Sequence, residues 1–123
     1  MSQAISITVE HGLIRVLYRG TVEYGATTAM LRNVARIGAE TQSRLLLFDI
    51  RESDHQNYYT ETVRHAQEGP ALGINQKTFR IAFLGSERNP MLQFIEDVTV
   101  NRGFQVKVFT EEAAALAWLR GTP

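Results

Sequence analysis

The chain has 123 residues, the size of one domain, and its 13 basic residues are balanced by 13 acidic ones. That balance argues against nucleic-acid binding, which normally calls for a basic excess that neutralises phosphates. Cysteine is absent, which removes disulfides, thiolate metal sites and cysteine nucleophiles together and fits a reducing compartment.

The start, Met1-Ser2-Gln3-Ala4-Ile5, has no basic stretch leading into an apolar core, so no signal peptide is expected. The longest apolar run, Leu45 to Phe48, is far short of the ~20 residues of a membrane span. The expectation is a cytoplasmic protein without a transmembrane segment, with peripheral membrane contact left open.

Ile5, Ile7 and Val9 alternate with Ser6, Thr8 and Glu10, the period of a half-buried strand. His11-Gly12 interrupts the pattern and Leu13 to Tyr18 resumes it, which predicts an antiparallel hairpin. Thr21 then suits a helix cap. From Val22 the period becomes helical, with Val22, Ala26, Met30, Val34 and Ile37 on one face and the helix ending near Ser43.

Leu45-Leu46-Leu47-Phe48 is apolar on both faces, as a strand covered by helices on both sides should be. Residues 49–57 are polar and read as a loop. A second helix over about Tyr58 to Gln67 turns Tyr59, Thr62, Val63 or Ala66 inward and stops at Gly69-Pro70. Residues 70–77 form a linker, and Phe79 to Leu84 is another two-sided strand.

Asn89-Pro90 places a capping residue before a proline at the first helical position. Met91, Leu92, Ile95 and Val98 mark that third helix. Phe104 to Phe109 is the last strand. Thr110-Glu111-Glu112 opens a fourth helix that carries Ala113, Leu116, Ala117 and Trp118 or Leu119 inward. The predicted fold class is α/β: one domain over 1–123, with a mixed, mostly parallel sheet of four to five strands. An N-terminal β-hairpin opens it, and about four helices flank it.

Parallel sheets bind ligands at the carboxyl ends of their strands. Asp49, Ser53, Gly85, Ser86 and Asn89 gather there and could make polar or anion contacts, the backbone at Gly85-Ser86 above all. Capping of the turn by Ser86 and Asn89 accounts for the same residues. Ser53, His55 and Asp49 or Asp54 are the residue types of a hydrolytic triad. Residues two apart in one loop rarely converge, however, and no G-x-S-x-G elbow is present, so no catalytic residue is assigned. His11, His55 and His65 lack metal-ligand spacing, and no glycine-rich phosphate cradle occurs. No metal and no cofactor are expected.

Tyr58-Tyr59 opens the second helix, and the apolar stretch Gly69-Pro70-Ala71-Leu72-Gly73-Ile74 follows it. Tyrosine offers an apolar face with a polar tip, and an apolar segment with glycines can lie over a gap as a binding loop. These features predict a pocket between the second helix and Pro70–Ile74, lined by Tyr58, Tyr59, Leu72 and Ile74. A partner surface is the other use of the same residues.

The hairpin Ile5–Tyr18, the strand Leu45-Leu46-Leu47-Phe48-Asp49, Arg80-Ile81-Ala82-Phe83-Leu84-Gly85 and the ending Phe109-Thr110-Glu111-Glu112-Ala113 with Ala117-Trp118-Leu119 resemble the SpoIIAA-like branch of the STAS superfamily. That resemblance implies a sheet flanked by helices, a homodimer and a non-catalytic role. One role it implies is holding a small apolar or lipid-like ligand. The other is that of an anti-sigma-factor antagonist, a protein–protein regulator switched by phosphorylating a serine where the second helix begins. Here that region reads Gln56-Asn57-Tyr58-Tyr59 and has no serine, so the phosphosite does not carry over. A ligand-binding module is the leading expectation, a regulator of protein partners the second and a serine hydrolase the third.

Overall fold

A computed structural model describes residues 5–20, 24–53 and 59–121. Two strands open it, β1 (Ile5–Glu10) and β2 (Leu13–Gly20), antiparallel with Ile5 opposite Tyr18 and Glu10 opposite Leu13. His11 and Gly12 both take positive φ, 50° and 79°, which a two-residue hairpin turn requires. Then come α1 (Tyr24–Thr41), β3 (Leu45–Ser53), α2 (Tyr59–Glu68), a 3-10 turn (Pro70–Leu72) and β4 (Arg80–Leu84). The chain closes with α3 (Pro90–Asn101), β5 (Gln105–Phe109) and α4 (Glu112–Arg120).

The five strands lie in sequence order, β1-β2-β3-β4-β5, and every pair after the hairpin is parallel. Parallel crossovers share one hand, so crossovers that always step in one direction place their helices on one face. The core divides accordingly. On one face Ile14, Val16, Leu46, Phe48, Ile81 and Val108 meet Met30, Leu31 and Val34 of α1 and Leu92 and Ile95 of α3. On the other, Leu13, Leu47, Ala82 and Leu84 meet Ala115 and Leu119 of α4, which is not a crossover and is free to fold back. The two-sided apolar runs therefore belong to the middle strands, β3 and β4.

Several boundaries differ from the sequence reading for identifiable reasons. The strand β3 continues through Ser53, because residues 49–53 keep pairing with β2 past a bulge between Leu17 and Arg19. Polarity there marks an ion-paired sheet face, not a loop. The predicted linker contains a 3-10 turn, and Ile74 behind it is buried. Ala26 is exposed, and Leu31 takes the buried place on α1. Leu119 is buried as expected and Leu116 and Trp118 pack against the same core, but Ala113 is exposed and Ala115 takes its inward place. Glu111, not Thr110, is the cap of α4 and makes no capping side-chain bond. Thr21, Val22, Asp54, His55, Asn57 and Tyr58 lie outside the described residues.

Gly73 shows how closely the 3-10 turn meets α1. Its φ is 103°, and a Cβ built there would come within 2.6 Å of the Ala35 Cβ, so conformation and space both require glycine.

Leu47, fully buried on the central strand, is the position where a charge should be least tolerated. Leu47→Asp is expected to yield no soluble folded protein, since an unpaired buried charge costs several kcal/mol against a stability of about 10 kcal/mol. Soluble yield and circular dichroism check this, and a cooperatively unfolding variant would place Leu47 outside the core.

Candidate functional site

Two regions collect the residues able to carry chemistry. The first lies at the carboxyl end of β3, on the face covered by α4. Asp49 is only 3% exposed there and keeps its charge by pairing. Arg51 grips it with two bonds, Nε to Oδ1 at 2.9 Å and Nη2 to Oδ2 at 2.7 Å, and its backbone N–H adds a third to Oδ1 at 3.2 Å. Arg51 Nη2 also donates to Glu112 Oε1 at 3.0 Å, and Arg15 meets Glu112 Oε2 at 3.2 Å. Two strands and the first turn of α4 are tied by alternating charges.

Burial pushes the Asp49 carboxyl upward, but the side-chain and backbone bonds from Arg51 and the charges of Arg51 and Arg15 outweigh it and hold the group below the usual carboxylate range. The Arg51 guanidinium is held still more firmly in its charged form, chiefly by its bonds to Asp49.

The neighbouring polar residues are occupied locally. The Ser53 hydroxyl donates to the Ile50 carbonyl at 3.2 Å. Gly85 N–H donates to the Phe109 carbonyl at 2.9 Å, and a Cβ on Gly85 would come within 3.1 Å of the Leu92 side chain. Asn89 Oδ1 accepts from Leu92 N–H at 2.9 Å and caps α3, as its place before Pro90 predicted. Ser86 is exposed. These residues share one end of the sheet, with Ser53, Gly85 and Asn89 each bonded to a different partner. Among the described residues no cluster of His, Asp and Glu has the make-up of a metal site.

The second region is a cavity of about 130 Å³ on the opposite face. Its floor is sheet: Tyr18, Phe48, Ile50, Ile81, Phe83 and Val106. Phe48 and Phe83 stack with centroids 4.8 Å apart, and Tyr18 meets Phe48 edge-on at 6.1 Å. Its roof is helical, with Thr27 and Leu31 from α1, Thr62, His65 and Ala66 from α2, and Ile95 and Thr99 from α3. Gly69, Ile74 and Phe104 close one end.

The shape of α2 accounts for the gap. It is 10 residues long and packs against α3 and the 3-10 turn, spanning above the strands. The side chains it turns downward, Thr62, His65 and Ala66, are short or polar, and Gly69 follows on the same face. They recur at i, i+3, i+4 and i+7, a helical face the sequence displays openly. The sequence reading names Thr62 and Ala66 among the inward residues, and the structure adds His65 and Gly69 to them.

Of the residues predicted for a pocket, Ile74 lines the cavity. Leu72 is half-buried and packs on the apolar core beside it. Tyr59 begins α2, but its side chain, like Tyr58, lies outside the described residues. No described helix is long and apolar enough to cross a membrane.

The fold recurs in solved structures. The chain is similar to an uncharacterised protein of the DUF3478 family with a SpoIIAA-like fold from Shewanella loihica PV-4. That match has 18% identity and a TM-score of 0.61, covering 97% of this chain and 98% of that one. It is also similar to an anti-sigma factor antagonist from Mycobacterium paratuberculosis, at 13% identity and TM-score 0.56 over 94% and 92% of the two chains. SpoIIAA in its unphosphorylated form, an anti-sigma factor antagonist, matches at 12% identity and TM-score 0.56 over 96% and 99%. No protein-family model and no curated protein matches the chain. Identities this low speak to architecture, and they define it: the chain has an α/β SpoIIAA-like fold.

The ion-paired edge gives a pH prediction. A carboxyl held below its unfolded value of about 3.9 contributes stability that is fully present above pH ~4 and lost as pH falls through the native value. Asp49→Asn should cost about 1–3 kcal/mol at pH 7. It should also flatten the decline in denaturation midpoint that the wild type shows below pH ~4. Parallel declines in both proteins would remove Asp49 from the acid response.

Proposed function

We propose that this domain is a non-enzymatic binding module that holds a small apolar ligand in the cavity beneath α2. The observation that supports the reading is the cavity itself. It is a space of about 130 Å³ with a mostly apolar lining, which a single larger side chain at Ala66, itself 7% exposed, would fill. Retaining the space is understandable if a ligand fills it. The reading includes a homodimer, on the strength of the family resemblance.

The structural neighbours favour a second reading. Two of them are named anti-sigma factor antagonists, and a regulator that acts on a protein partner is consistent with the shared fold. If this chain works that way, it does so without a serine at residues 56–59.

Native mass spectrometry of the freshly purified protein tests the first reading by reporting carried ligand and oligomer together. Benzene, cyclohexane and 1-hexanol, titrated by NMR, should bind saturably to the wild type. Ala66→Leu should lose that binding and unfold at an equal or higher temperature, because the added carbons enter empty space. Absence of saturable binding, with a loss of about 1–3 kcal/mol in Ala66→Leu as in an already filled core, would leave the partner reading alone.

A further inference from the structure

The cavity differs chemically from floor to roof, and this asymmetry narrows what it can hold. We infer that its occupant is a small planar aromatic molecule carrying one hydrogen-bond donor, of the phenol class, rather than an acyl chain. The inference rests on the binding reading above and adds the ligand's chemistry to it.

Size is the first argument. A cavity of about 130 Å³ matches the ~150 Å³ apolar cavity that takes up benzene. A space of that volume holds a single ring but not a whole acyl chain, which the sequence reading allowed.

The floor is the second. Phe48 and Phe83 stack nearly parallel, at 21° and 4.8 Å, and Tyr18 stands edge-on to Phe48 at 77°. All three line the cavity, so a guest lying on the sheet packs against aromatic rings. Aromatic pairs gain ~0.5–1.5 kcal/mol beyond area burial in offset-stacked and edge-to-face geometries, and a saturated guest forgoes that gain.

The third argument concerns the polar part of the roof. Thr99 lines the cavity from α3, and its hydroxyl donates to the Ile95 carbonyl at 2.7 Å. With its single proton committed, Thr99 Oγ1 can offer a ligand only an acceptor lone pair. A guest whose polar atom is a donor can be satisfied there.

The test compares benzene, fluorobenzene, phenol, cyclohexane and 1-hexanol by NMR titration on the wild type and on Thr99→Val, which keeps the side-chain shape. The six-membered aromatic probes should bind roughly 3- to 10-fold more tightly than cyclohexane and 1-hexanol. Thr99→Val should weaken phenol by about 10-fold while leaving fluorobenzene within about twofold. Aliphatic probes binding as tightly as aromatic ones would overturn the aromatic inference and leave the binding module standing. Phenol unaffected by Thr99→Val would overturn the donor assignment. Failure of every probe to bind would sink the binding reading and this inference together.

Discussion

Everything in this fold follows from the order in which the strands add to the sheet. Each new parallel strand is laid on the same side of the last, from β2 to β5, and crossovers of one hand then deliver α1, α2 and α3 to a single face. Three helices have to cover that face, and the shortest of them, α2, also bridges the longest connection. The opposite face receives only the helix that follows the last strand. The molecule is therefore unequal on its two sides, and both notable regions arise from that inequality.

On the side served by α4 alone, apolar packing ends before the sheet does. Leu47, Ala82 and Leu84 are covered by Ala115 and Leu119, but towards the carboxyl end of β3 the covering is ionic. Burying Asp49 is unfavourable in isolation, and the bidentate grip of Arg51 makes it tolerable. Arg51 is itself shared with Glu112, so the start of α4 is positioned by charge where it lacks a side-chain cap. An exposed ion pair on its own would contribute little. Here the buried member makes the geometry strict, because a misplaced Arg51 would leave Asp49 unsatisfied.

On the other side the helices are many, yet coverage is incomplete for a different reason. α2 rests on α3 and the 3-10 turn, and that turn is pressed against α1 at Gly73, where no Cβ would fit. Supported at its flanks, α2 need not descend to the strands, and the short side chain of Ala66 does not reach down to them. The cavity is thus held open by the elements packed around it. This is why a larger residue at its roof can be accommodated, while the same change at Gly73 cannot.

Much of this architecture was legible in the residues. Alternation and helical period are local, so the hairpin, the two-sided strands β3 and β4, the Asn89 cap and the resemblance to the SpoIIAA-like fold were all readable before any coordinates. What was misread depends on partners distant in sequence. The polar stretch from Asp49 to Ser53 looks like a loop until Arg15 and Glu112 are brought beside it, because only then does a carboxylate belong in a strand. Tyr58 and Tyr59 stood out by size, whereas the cavity is lined from Tyr18 to Val106 by residues of seven elements and their connections. The stripe on the second helix is local, but by itself it marks a face and not a space. A cavity is the shortfall between surfaces that the chain joins only on folding, and its volume exists nowhere in the sequence until those surfaces meet.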